Sequence, residues 1–129
     1  MEKKAKSLSA SLRWRERGTK LPFITTLLEQ GLGSPCPYCG KELTLKNVGL
    51  DHKKPFENAT ARRDLETHYR LDVPENLQLV CRRCNKSKGD LSDVQYRKLL
   101  KFLAKDKHIE KSVLKRLSQS YHIYGKKRN

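Results

Sequence analysis

Two Cys-x-x-Cys pairs, Cys36-Pro37-Tyr38-Cys39 and Cys81-Arg82-Arg83-Cys84, constrain this chain more than any other feature. Four thiolates are the number a closed tetrahedral zinc site uses, and the spacing within each pair lets one tight turn aim two sulfurs at one ion. Gly40, directly after the first pair, tolerates the strained backbone of such a turn. A redox dithiol would not need a second pair. The spacing therefore predicts a structural zinc held by Cys36, Cys39, Cys81 and Cys84, which staples whatever residues 40–80 form. With all four positions filled by protein, that zinc has no place for a water and is not a catalytic ion.

A staple matters because little else holds the chain. Its 129 residues fit one ordinary domain, and a hydrophobic fraction of 36% supports only a modest core. Lysine and arginine number 29 against 14 acidic residues, a formal charge of +15, which concentrates polyanions around the protein. Nucleic acid is the partner this implies. No run approaches the roughly 20 apolar residues of a membrane span, and Met1-Glu2-Lys3-Lys4 is not followed by the apolar stretch of a signal peptide. The expectation is a cytoplasmic protein with no membrane partner, where paired cysteines bind metal and disulfides are rare.

Periodicity divides the chain into three parts. In residues 1–35, Leu8, Leu12 and Trp14 suggest a weak helix over Ser7–Arg17. Pro22 suits the first turn of a second helix, with Phe23, Ile24, Leu27 and Leu28 on one face and Gly31 and Gly33 at its end. Residues 36–92 hold the cysteine pairs, a strand at Val48-Gly49-Leu50-Asp51-His52 ended by Pro55, a charged helix or long loop over Ala59–Tyr69, and a second strand in which Leu77, Leu79 and Cys81 alternate with Gln78 and Val80. A short helix is expected to begin near Cys84. In residues 93–129, Ser92-Asp93-Val94-Gln95 has the form of a capping box ahead of Tyr96, Leu99, Leu100 and Leu103. Ile109, Val113, Leu114 and Leu117 form a last amphipathic helix, which frays into a basic tail from Tyr121 to Asn129. The fold class is thus α+β, in a single domain with flanking helices.

Leu50-Asp51-His52-Lys53-Lys54-Pro55 between the cysteine pairs, Glu75-Asn76-Leu77-Gln78-Leu79-Val80 before the second pair, and Cys84-Asn85-Lys86-Ser87-Lys88-Gly89-Asp90 after it together resemble the HNH endonuclease family, notably its small cysteine-bearing members common in bacteriophages and similar mobile elements. The likeness covers about half the chain, Cys36 to Ser92. It implies a β-hairpin packed on a helix around one divalent cation, the ββα-metal fold. It further implies that His52 is the general base, that Asp51 and Asn85 bind catalytic Mg²⁺ or Mn²⁺, and that Asn76 holds the loop and ring of His52. The product ends it implies are a 5′-phosphate and a 3′-hydroxyl.

The chemistry agrees with those roles. Phosphodiester hydrolysis needs a base active near neutral pH, which an imidazole supplies, and a hard cation, which carboxylate and amide oxygens suit. Successive strand residues face opposite sides, so Asp51 and His52 reach one phosphate only at a bulge or a strand end. Arg82, Arg83, Lys86 and Lys88 cluster where phosphate oxygens would lie, and Lys88 is the expected contact near the scissile phosphate. Trp14 with Arg13, Arg15 and Arg17, and Tyr121 and Tyr124 with Lys126, Lys127 and Arg128, are aromatic-basic mixtures suited either to nucleic acid or to packing and solvent. His68, His108 and His122 fall outside the motif and read as structural or surface residues.

The function this points to is a DNA endonuclease acting as a monomer or weak dimer by nicking or paired nicks. The rival readings are a non-catalytic zinc-ribbon protein that binds nucleic acid, and a junction resolvase of the endonuclease VII type.

Overall fold

The computed structural model describes residues 1–16 and 18–127, with side chains through residue 119. Its elements in chain order are α1 (Glu2–Ser9), α2 (Lys20–Gly31), β1 (Val48–His52), α3 (Ala59–Arg62), α4 (Leu65–Leu71), a 3-10 turn (Pro74–Asn76), β2 (Leu77–Cys81), α5 (Arg82–Lys88), α6 (Asp93–Leu103) and α7 (Lys107–Lys127). The chain is mixed α+β, with one two-stranded antiparallel hairpin among the described residues.

Pairing in the hairpin runs one-to-one from Val48 opposite Cys81 to His52 opposite Leu77. The ladder contains no bulge, so of the two geometries that reconcile Asp51 with His52, the chain uses the strand end. Val48, Leu77 and Leu79 are buried on one face of the hairpin, and Val80 is buried on the other, so the ladder is covered on both sides at that end. Helix α5 follows β2 without a loop: Cys81 ends the strand and caps the helix, its Sγ accepting the Cys84 N–H. Beginning at Arg82 makes α5 start earlier than the expected Cys84, and Asn85 lies inside it.

Two further expectations are corrected. The first helix spans Glu2–Ser9 and not Ser7–Arg17, because Leu12 is buried in the core beside Ala5 and the Arg13 N–H is taken by the Asp72 carboxylate at 2.8 Å, a long-range bond that a helix there would preclude. The last helix, expected to fray at Tyr121, continues to Lys127; the side chains of Tyr121, His122, Tyr124 and the basic residues after them lie outside the described residues, as does Arg17.

Helix α2 packs on β2, with Gly31 so close to Leu79 that a Cβ there would meet its side chain at 2.7 Å. Past that helix, Gly33 adopts φ +90°, and its N–H bonds Leu43 O just beyond the first cysteine turn. Ser92 and Gln95 form the expected capping box of α6, and Tyr96 from that helix is buried in the core. Ile24 and Leu28 on α2 are fully buried with Val48 and Val80, so this one small core carries the hairpin. Leu28→Ala is expected to cost roughly 2–5 kcal/mol in urea denaturation of the zinc-loaded protein; a loss under about 1 kcal/mol would mean that α2 is not part of that core.

Candidate active site

The four cysteine sulfurs lie within 4.8 Å of one another, with Cys36, Cys81 and Cys84 buried and Cys39 exposed. Gly40 adopts φ +79°, as the turn requires. Burial, followed by the charges of Cys81 and Cys36, pushes the Cys84 thiol far up. Burial would raise Cys36 too, but the N–H groups of Cys81, Cys39 and Tyr38 outweigh it and hold that thiol low. Four sulfurs this close can all become thiolates only around a cation. The cluster thus has the geometry and the electrostatics of a metal site.

A cleft of about 340 Å³ opens beside the end of β1 and the face of α5. Asp51, His52, Arg82, Asn85, Lys86 and Lys88 line it, so residues 51, 52 and 85 of the motif meet in one place. The Asp51 carboxylate is buried. Its Oδ1 lies 3.0 Å from Lys88 Nζ, and its Oδ2 accepts from Gln78 Nε2 at 2.9 Å and lies 3.3 Å from the Tyr38 hydroxyl. Asn85 donates its amide N–H to Leu50 O at 3.3 Å, and none of the described hydrogen bonds takes its Oδ1. Asp51 and Asn85 thus bring a carboxylate and an amide oxygen to the cleft, the hard donor types that Mg²⁺ or Mn²⁺ accepts, with both Asp51 oxygens already in contact with Lys88, Gln78 and Tyr38. Asn85 is the fourth residue of α5 and so is not its cap.

Lys88, expected at a phosphate, lines the cleft with its ammonium already engaged. Its side chain is 2% exposed, and its ammonium is shared between Asp51 and the His52 carbonyl, the latter at 2.8 Å. A lysine so deeply buried needs those acceptors, and it balances the carboxylate charge at the strand end. Arg82 and Lys86 are the cations that line the cleft without such a partner among the described residues. Asn76 holds the loop after His52 on both sides: its Oδ1 accepts the Lys54 N–H at 2.8 Å, while its Nδ2 donates to Lys54 O and Leu71 O. None of its described hydrogen bonds goes to the His52 ring.

That ring is held by Asp72, a residue to which sequence reasoning assigned no role. His52 Nε2 lies 2.6 Å from Asp72 Oδ1, and His68 Nδ1 lies 2.7 Å from Oδ2. Only a helical i,i+4 spacing between His68 and Asp72 hinted at this pairing; the approach of His52 is tertiary. Gln78 and Tyr38 were missed in the same way, as the groups that orient Asp51. Trp14 is packed, with its Nε1 donating to Thr19 Oγ1 at 2.8 Å and its ring stacked on Phe23 at 5.6 Å.

Residues 36–91 match the family model described as HNH endonuclease. The chain carries an HNH endonuclease domain. The matched segment runs from the first cysteine of the cluster through β1, β2 and α5, and so contains every residue of the cleft named above. No curated protein and no solved structure matches the chain. No described helix is long and apolar enough to cross a membrane.

Burial of Asp72 by itself would raise its carboxyl, but hydrogen bonds from His52, the Arg13 N–H and His68 outweigh it and hold the group below its ordinary value of 3.8. A carboxyl depressed by folding stabilises fully above that value and loses its contribution as pH falls through the lower, folded one. Asp72→Asn is therefore expected to be less stable than wild type at about pH 5, with the gap closing in acid as the wild-type carboxyl protonates. Paired urea titrations across that range check it; a gap that widens below pH 3.8 would contradict it.

Proposed function

We propose that this HNH domain is a metal-dependent DNA endonuclease whose general base is His52. The observation that carries the reading is the meeting of Asp51, His52 and Asn85 in one cleft lined by Arg82 and Lys86. A Mg²⁺ or Mn²⁺ ion held by Asp51 and Asn85 would supply neutralisation of charge on the pentavalent phosphate and at the leaving oxygen. The chain's own residues do the rest. Arg82 and Lys86 bind phosphate oxygens and place the backbone across the cleft. His52 takes the proton of the attacking water. Asn76, by bonding Lys54 on both backbone sides and Leu71 O, ties the chain just after β1 to the start of β2 and to the end of α4. Lys88 holds the Asp51 carboxylate and the His52 carbonyl in a fixed relation.

The ion in the four-cysteine cluster is, on this reading, structural zinc at one per chain. Cys81→Ser is expected to lose zinc, fold stability and activity together, because Cys81 is at once a ligand, the end of β2 and the cap of α5. Elemental analysis and thermal melts test this, and an unchanged melting temperature would refute it.

For the catalytic roles, nicking of supercoiled plasmid in defined metals is the test. His52→Ala is expected to fold, keep zinc and bind DNA while cleavage falls about 10²- to 10⁴-fold. Asn85→Ala should raise the Mg²⁺ concentration needed, and Asn85→His should shift preference toward softer ions such as Ni²⁺. Failure of the wild-type protein to cut in any of these metals would leave the zinc-ribbon binding protein as the better reading, and undiminished cleavage by His52→Ala would refute the assignment of the base. Preference for branched over linear DNA would point to a junction resolvase.

A further inference from the structure

The connection between the two strands, residues 53–76, is far longer than a hairpin needs, and its helices α3 and α4 deliver one buried carboxylate to the back of the His52 ring. Asp72 caps the C-terminal end of α4, its own N–H bonding His68 O at 2.7 Å. Its side chain is 1% exposed and is fully engaged: Oδ1 faces His52 Nε2 at 2.6 Å, while Oδ2 receives the Arg13 N–H at 2.8 Å and faces His68 Nδ1 at 2.7 Å. Phe56 packs against both imidazoles, at 5.3 and 4.6 Å between centroids, and leaves the His52 ring little freedom to turn. The second nitrogen of His68 is anchored in turn on Arg62 O at 2.6 Å.

An ionised carboxylate only accepts hydrogen bonds. Its partner nitrogen on His52 must therefore carry the proton, which leaves the lone pair on Nδ1. We propose that Asp72 is a positioning residue for catalysis, fixing His52 as the Nε2–H tautomer with Nδ1 as the atom that removes a proton from the attacking water. This rests on His52 being the base. It adds which ring nitrogen acts and what selects it. The logic is that of any base oriented by a third group: the orienting carboxylate touches no substrate, yet a wrong tautomer presents an N–H where a lone pair is needed.

Asp72→Asn tests this with almost no change of shape. Oδ2 accepts the Arg13 backbone N–H, a donor that no change of tautomer can reverse, so the amide oxygen of the variant belongs at the Oδ2 position and its NH₂ group faces His52. His52 must then accept at Nε2, and its proton moves to Nδ1. The expected result is a kcat for plasmid nicking lower by at least tenfold and up to the full 10²- to 10⁴-fold worth of the base, with KM and zinc content unchanged. Nitrogen-15 spectra of the full-length, zinc-loaded protein without Mg²⁺, at a pH where the imidazole is neutral, supply a readout that a merely structural role would not move. Wild type should show His52 protonated on Nε2, and Asp72→Asn should show it protonated on Nδ1, the signal being assigned by its absence in His52→Ala.

A wild-type spectrum with the proton on Nδ1 overturns the proposal, and it does so even if the variant fails to fold. So does an Asp72→Asn protein that nicks at the wild-type rate, or one that slows without any change in the His52 nitrogen signals. Leu71→Ala, which removes a buried neighbour on the same helix without touching His52, should lower stability but leave kcat unchanged below its melting temperature; an equal loss of kcat there would reduce Asp72 to a stabilising contact. Full activity in His52→Ala would refute the assignment of the base itself, whereas an inactive His52→Ala beside a fully active Asp72→Asn would refute only the role of Asp72.

Discussion

Four sulfurs within 4.8 Å tie the turn at residues 36–39 to the junction of β2 and α5, and the working parts of the domain hang from that junction. Cys81 ends the strand, caps the helix and joins the cluster, while Cys84 lies within the first turn of α5. The direction of α5 relative to the hairpin is set there, over a few ångströms. Asn85, the next residue, then faces the end of β1 without any loop of its own to position it. In a chain of 36% hydrophobic residues with a charge of +15, a small core cannot by itself oppose both chain entropy and self-repulsion. A cation held by those four thiolates would fix the geometry of the junction, where Cys36, Cys81 and Cys84 already belong to the core.

The same cluster reaches the cleft through its first turn. Tyr38, between Cys36 and Cys39, donates to Asp93 Oδ1 at 2.7 Å and accepts from Gln78 Nε2, which also bonds Asp51. Burial, and then Asp93 and Asp51 beside it, push the Tyr38 phenol well up, so it remains a neutral donor. Behind the cleft stands a second polar group built on Asp72, and between them Lys88 sits as a buried cation on Asp51. Networks of this kind are costly unless every member is satisfied. Among the described residues no buried side-chain nitrogen or oxygen lacks a partner. What the cost secures is placement: Asp51 and His52, adjacent on a strand and therefore aimed apart, are each held by their own set of long-range partners.

Much of this was legible in the order of residues. The cysteine pairs, the alternation of β1 and β2, and the Ser92–Gln95 capping box are local patterns, and the chain forms each of them where the pattern lies. The first helix was misplaced because Leu8, Leu12 and Trp14 imitate a helical stripe, while Leu12 and Trp14 are packed by tertiary contacts after the helix has ended. The burial of Lys88 has a related cause: in a run of basic residues, nothing local distinguishes the lysine that is buried from those that meet solvent.

The sequence by itself determined the members of the four-cysteine cluster, the hairpin and helix that carry Asp51, His52 and Asn85, and the basic character of the chain, because each is written in spacing, period or charge over a few residues. Only the tertiary structure decided how those side chains are held. Asp72 meets His52 across 20 residues of chain and the Arg13 N–H across 59, and Gln78 meets Asp51 across 27. A carboxylate that serves donors from three segments leaves no periodic trace in any one of them. Its role exists only once the core and the cysteine cluster have brought those segments together.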